Sequence, residues 1–243
     1  MNEFSISLLI LLSFIYFLGA IVQGYVGFGF MLLSLPIISL FIDVKTAISA
    51  GSLFGVLLNG FLFFEYRKSF KIREYILLFI GMILGIPFGT YFLSIMDGSV
   101  VKIILAIVLI TLSLLSLVGS VKPRILPKWL GFVVGTVSGF LGGAFNTNGP
   151  LTVLYLHAIG TKPLAFKSFL AGLFFVSSAV TAVSHFSLSM ITPSVFNLFL
   201  ATSLPALLGI FVGKQLFVRF SALHFNNLIL VLVVISSLLL LIR

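Results

Sequence analysis

Apolar runs of about 20 residues follow one another from Phe4 to the last residues of this chain, separated only by short polar or charged breaks. Such a run matches the length an α-helix needs to cross the hydrocarbon core of a bilayer. Inside that core every backbone polar group must find its partner within the protein, so only helices and closed barrels span it. Barrel strands alternate polar and apolar residues, and these runs do not. The chain therefore reads as an all-α polytopic membrane protein. Composition excludes an ordinary soluble protein, because 8% of the 243 residues are charged, against about 25% in soluble proteins; no separate soluble domain is expected, since no polar stretch exceeds about ten residues.

Hydrophobic runs and charged breaks divide the chain into ten segments. The first five lie near 4–22, 24–42, 46–64, 75–95 and 100–120; the second five near 129–143, 146–160, 165–185, 192–213 and 223–242. The first has no basic stretch before it and no small-residue cleavage site after it, so it is expected to be retained. If successive breaks alternate sides, one side receives Arg67, Lys68, Lys71, Arg73, Lys122, Arg124, Lys128, Lys162, Lys167, Lys214 and Arg219. The other keeps Lys45, Lys102 and Arg243. Eleven against three places the first side in the cytoplasm and both termini outside, in a multi-pass protein of the plasma (inner) membrane. The net charge of +9 is then an orientation signal with contact to anionic membrane lipid. Nucleic acid is not an expected partner.

Five segments per half is an odd number, so a repeat of one half in the other must be inverted across the membrane. The expected organisation is a single integral membrane domain, with residues 1–120 as one repeat and 121–243 as its inverted copy. The sequence carries a matching signal. QGYVGFGFMLLSLP (23–36) and SGFLGGAFNTNGP (138–150) each open with a polar residue and a glycine, continue through apolar residues to further glycine, and end at proline. Downstream, DVKTAISAGSLFGV (43–56) corresponds loosely to GTKPLAFKSFLAGLFFV (160–176).

Residues 129–160 are too few for two complete spans and a turn, which need about 40. Gly149-Pro150 falls in the middle, where proline interrupts a helix. A re-entrant hairpin or a pair of half-helices is expected there, and the same arrangement fits Gly19–Gly29. Broken helices persist in a membrane only when buried or lining a wet cavity. Half-helix N-termini supply free N–H groups and the positive end of the helix dipole, which bind anions without a basic side chain. Pro150 suits a first helical turn, Asn148 an N-cap, and Asn146 and Thr147 offer further hydrogen bonds. The candidate substrate-binding residues are Gln23, Gly24, Gly27, Gly29, Asn59, Gly142, Gly143, Asn146, Thr147, Asn148 and Gly149. Glycines such as Gly24, Gly81, Gly85, Gly89 and Gly135 also suit close helix packing. Pro36, deep in its segment, suits a kink.

The acidic residues Glu3, Asp43, Glu65, Glu74 and Asp97 all map to termini or loops, so a cationic substrate would lack a counter-charge. A small anion or polar neutral solute fits better. With no cysteine and no paired histidines, neither a metal nor another cofactor is expected, and no catalytic constellation or Walker motif points to an enzyme or ATP-driven pump. His157, His185 and His224 fall near segment ends, and Trp129 fits an interfacial anchor.

The stretches YVGFGFMLLSLPIISLFIDVKTAISAGSLF and SGFLGGAFNTNGPLTVLYLHAIGTKPLAFKSFLAGLFF resemble the TauE/SafE sulfite exporter family over most of the chain. The resemblance implies a transporter of sulfur-containing anions: sulfite, sulfonates or thiosulfate. It places Gly24, Gly27 and Gly29 in one glycine motif, and Gly139, Gly142, Gly143, Gly149 and Pro150 in the other. Phe28, Asn146 and Asn148 depart from the glycine-richer family pattern. The expected activity is secondary transport by alternating access, with the anion between the two breaks near mid-membrane; the alternatives are an anion channel and a non-transporting membrane scaffold or assembly factor. An inside-negative potential drives anions outward by about 2.3 kcal/mol per charge per 100 mV. Without a coupling carboxylate, that favours export.

Overall fold

The computed structural model describes residues 4–70, 72–118, 126–161, 163–219, 231, 233–239 and 241. Among these residues every regular element is a helix: α1 (Ile6–Val26), α2 (Phe30–Ile38), α3 (Val44–Tyr66), α4 (Ile76–Ile95), α5 (Gly98–Val118), α6 (Lys128–Phe145), α7 (Gly149–Ala158), α8 (Pro163–Ser187) and α9 (Pro193–Arg219). Residues 233–239 are helical as well. Two 3-10 turns, Arg67–Ser69 and Ile72–Tyr75, join α3 to α4. Helices α1, α3, α4, α6, α8 and α9 are long and apolar enough to cross a membrane.

Helices α2 and α7 have nine and ten residues. At 1.5 Å per residue they are roughly 14–15 Å long, half the ~30 Å hydrocarbon core. The segment expected over 24–42 is therefore only partly helical, because α1 runs on through Gly24 to Val26 before the chain breaks. Each short helix folds back along the long one before it. Ser34 Oγ donates to Ile15 O at 3.4 Å, and Tyr16 stacks on Phe30 with ring centroids 5.5 Å apart. In the second half, Gly131 of α6 lies against the hydroxyl end of Tyr155 of α7.

Apolar surfaces give little drive for helices to associate in lipid, so contact depends on close backbone approach. Helices α4 and α6 achieve it with two interlocked glycine rows, four residues apart on each helix. A Cβ at Gly81, Gly85 or Gly89 would collide with the carbonyl of Phe132, Thr136 or Phe140. Conversely, a Cβ at Gly135, Gly139 or Gly143 would collide with that of Leu78, Met82 or Ile86. Both rows advance together, so the two helices run parallel. Helices α1 and α9 make the corresponding contact, with Gly209 against Phe17, Gly213 against Ile21 and Gly24 against Ile210. Between these pairs α3 and α8 run antiparallel, joined by Ser168 Oγ to Tyr66 O at 3.0 Å near one end and Asn59 to Ser178 further along. The outward faces carry large apolar side chains such as Ile6, Phe88 and Phe186, as lipid contact requires.

Candidate anion-binding site between two helix breaks

Helix α1 ends because Gly27 enters the left-handed region (φ 93°), where its N–H still reaches Gln23 O at 2.8 Å. Gly29, also left-handed (φ 102°), then starts α2. A side chain resists both conformations, so glycine is the residue that allows a stop and a restart within three positions. The second break uses a different residue for the same geometry. Asn146 closes α6 at φ 53°, with its N–H on Gly142 O at 2.9 Å. Asparagine tolerates this region better than other side chains do. Asn148 follows as N-cap, with Gly149 and Pro150 in the first turn of α7; proline loses nothing there, since that N–H has no intrahelical acceptor.

The two breaks meet. Phe28, from the middle of the first, packs over Gly149 at the start of α7. Together they line a cavity of about 50 Å³. This suits a small ion and falls far below the roughly 300–1,000 Å³ of a drug-sized ligand site. The starts of α2 (Phe30 to Leu32) and α7 (Gly149, Pro150) both border it. Neither Gly29 nor Asn148 caps its helix through a side chain. Asn148 instead donates its Nδ2 to Ser177 Oγ at 2.8 Å. Among the described residues no side chain lining the cavity is charged. The electrostatic character of the site therefore comes from peptide dipoles, amides and hydroxyls: the starts of α2 and α7 contribute positive potential, and the last turns of α1 and α6, which reach the cavity through Gln23 and Gly142, contribute negative.

A hydrogen-bonded chain crosses the site. Phe30 N–H donates to Gln23 Oε1 at 3.1 Å, Gln23 Nε2 donates to Asn59 Oδ1, and Asn59 Nδ2 donates to Ser178 Oγ at 3.2 Å. Asn146 Nδ2 donates to Ile48 O at 2.6 Å, tying the second break to α3. Thr147 is 3% exposed and its Oγ1 has no partner among the described residues, although it borders the cavity. A buried hydroxyl without a partner costs about 1–3 kcal/mol, so its position calls for a ligand or a water.

The structure brings Gln23, Gly29, Asn59, Gly142, Asn146, Thr147, Asn148 and Gly149 to one cavity. It places Gly24 and Gly143 elsewhere: the first packs against the Ile210 backbone, the second against Ile86 and Thr90. Gly27 shapes the turn without bordering the cavity. Ser177, Ser178 and Thr181 on α8, and Gly51 and Gly55 on α3, were not anticipated from the sequence. Ser178, Thr181 and the two glycines line the cavity, and Ser177 holds Asn148. Their only sequence signal is the SSAVT stretch at 177–181 inside an apolar span. Pro36 lies inside α2, two residues before its end.

A family model described as Sulfite exporter TauE/SafE matches residues 12–240. No curated protein and no solved structure matches.

Proposed function

The chain belongs to the TauE/SafE sulfite exporter family, a family of membrane transporters, and from that premise we propose that it is a secondary carrier of small sulfur-containing anions working by alternating access. The observation that carries this reading is the meeting of two helix N-termini, one from each half, on a small cavity without charged side chains among its described lining residues; neither N-cap residue closes its helix, although Phe30 N–H at the start of α2 is taken by Gln23 Oε1. Such a site suits an oxyanion or sulfonate headgroup: the first-turn N–H groups of α2 and α7 have no intrahelical acceptors. The hydroxyls of Thr147, Ser178 and Thr181 add donors around the same space. A cation would find no carboxylate among the described lining residues.

The helix pairings support two inverted repeats, 1–120 and 121–243. Exchanging α1 with α6, α2 with α7, α3 with α8 and α4 with α9 turns the α4–α6 pair into the α9–α1 pair. It also turns α3–α9 into α8–α4 and returns α3–α8 to itself. An antiparallel central pair is what a two-fold axis in the membrane plane requires, and alternating access then follows from rocking one repeat against the other. In this reading the eleven basic residues of the cytoplasmic side set the orientation, with both termini outside the plasma membrane.

Counterflow in proteoliposomes tests the proposal with a panel of sulfite, sulfate, thiosulfate, sulfoacetate and taurine. Saturable counterflow of at least one sulfur anion is expected. High flux without counterflow would mean a channel, and no movement of any member would remove the substrate assignment.

A further inference from the structure

His185 is fully buried on α8, one helical turn beyond Thr181, which lines the cavity. Its Nε2 lies 3.2 Å from the carbonyl oxygen of Gly143. A carbonyl only accepts, so Nε2 carries a proton. That carbonyl is in the last turn of α6, where acceptors lack intrahelical donors; the closing bonds of the helix go from Asn146 N–H to Gly142 O and from Thr147 N–H to Leu141 O. The histidine thus caps the helix that carries the second break. In the neutral ring this fixes the Nε2–H tautomer and leaves a lone pair on Nδ1, which is buried and has no partner among the described residues. A proton can be added there without breaking any existing bond.

Among the described residues no acidic or basic group is placed to offset that proton. Helices α3, α4 and α6 and the 3-10 turn Arg67–Ser69 pack on α8; Arg67 and Lys68 of that turn follow Tyr66, whose carbonyl Ser168 holds near the other end of α8. On α3, Lys45 gives its ammonium to Ser94 O, while Glu65 at the opposite end pairs with Lys214 of α9 at 2.6 Å; Tyr66 lies at that same far end, and Asp43, which precedes α3, caps it through Thr46. Tyr91 of α4 and Lys128 of α6 are exposed. On α8 itself, Lys167 lies near the other end of the helix, about 27 Å away by helical rise. The cavity that Thr181 lines one turn away offers a place for a compensating charge.

We propose that His185 is a proton-binding site coupled to the anion cavity, so that the carrier moves a proton together with its anion. This rests on the carrier reading above. A proton on Nδ1 raises the affinity for an anion beside Thr181, and a bound anion raises proton affinity by the same factor. The N–H bond forms at Nδ1 from water on the side to which the cavity is open and breaks on the other side, when the anion leaves. Direction then follows the sum of the proton and anion gradients, and an inward proton gradient can drive uptake against the membrane potential.

The test uses the full-length chain in proteoliposomes with a pH-sensitive dye in the lumen. Thiosulfate and sulfoacetate serve as probes, because both stay fully ionised across about pH 6–8, so a pH dependence of half-saturation belongs to the protein and not to the probe. Entry of either anion is expected to acidify the lumen, and half-saturation is expected at a concentration on the order of tenfold lower at the acidic end, as a unit charge one turn away supplies. In H185Q the glutamine amide can replace the Nε2–H donor to Gly143 O but cannot titrate, so protons moved per anion should fall by about tenfold or more. Net anion entry without a lumenal pH change in the wild type, or proton movement retained in H185Q, overturns the coupling alone. Absence of counterflow for every probe overturns the carrier reading and the coupling with it. If H185Q does not fold, the wild-type dye record and the pH dependence of half-saturation decide the question.

Discussion

Gln23 and Asn59 share a hydrogen bond whose direction is set by a backbone group. Phe30 N–H can only donate, so the Gln23 atom it meets at 3.1 Å is Oε1. The Gln23 amide nitrogen must then donate to Asn59 Oδ1, and Asn59 Nδ2 to Ser178 Oγ at 3.2 Å. The chain ends on a hydroxyl that accepts and keeps its own proton for the cavity. Four elements, α2, α1, α3 and α8, are thereby aligned to present a donor where the anion is expected.

Reversing one member of that chain should therefore be worse than deleting it. In Gln23→Glu a carboxylate can still accept from Phe30 N–H, but it faces Asn59 Oδ1 with a second acceptor and puts negative charge beside the anion. Half-saturation in counterflow should rise by about a hundredfold or transport should vanish, since a unit charge at this range in protein is worth several kcal/mol. Gln23→Leu removes the charge problem but leaves Phe30 N–H and Asn59 Oδ1 without partners, a loss of about 1–3 kcal/mol read as lower thermal stability in detergent. Equal transport by the two variants would contradict the polarity argument.

Thr147 offers a separation of stability from function. Its Oγ1 is buried without a partner, so the isosteric Thr147→Val should raise thermal stability or leave it unchanged. The same change should weaken anion binding roughly tenfold, which is what one lost hydrogen bond to a charged group is worth. Thr147→Ser should restore binding. Unchanged half-saturation in Thr147→Val would place the hydroxyl outside the site.

At Asn146 the backbone and the side chain have separate roles. The left-handed φ of 53° is tolerated by glycine, while the side chain ties the break to Ile48 O at 2.6 Å. Asn146→Gly removes only the tie. Asn146→Ala removes the tie and adds about 1–2 kcal/mol of left-handed strain. Melting in detergent should rank wild type above Gly above Ala, and a ranking of Ala above Gly would refute the conformational role.

The residues that proved legible in the sequence are those whose chemistry is out of place in an apolar chain. Gln23, Asn59, Asn146, Thr147 and Asn148 each bring a polar group that cannot be left exposed to hydrocarbon. All five meet at the cavity. Glycine is less informative, because a position that lets a ligand approach and one that lets a helix approach look the same. Gly142 borders the cavity and Gly143, its neighbour, borders α4; the difference lies in where a partner distant in sequence, Ile86, packs. The α8 hydroxyls gave little signal for another reason. A serine or threonine inside a membrane helix can satisfy itself on the preceding turn, as Thr202 does on Leu198 O at 2.7 Å. Only the fold shows that Ser178 and Thr181 face the breaks. His185 looked interfacial because it lies near a helix end, and its burial comes entirely from tertiary packing.

The interlocked glycine rows give the sharpest packing test. Gly139 of α6 sits against the Met82 carbonyl, and the atoms it meets are backbone atoms that cannot rotate aside. A single added methyl in Gly139→Ala must therefore push α4 and α6 apart along their whole contact, at a cost of about 1–3 kcal/mol for overpacking. Val137, two residues earlier and 45% exposed, faces away from that contact, and Val137→Ala should change stability by no more than about 0.5 kcal/mol. Because α6 also carries Gly142 and Asn146 into the cavity, the displacement should lower transport in proportion to the loss of stability. A Gly139→Ala protein with wild-type melting would mean that the two helices do not meet backbone to backbone in the membrane.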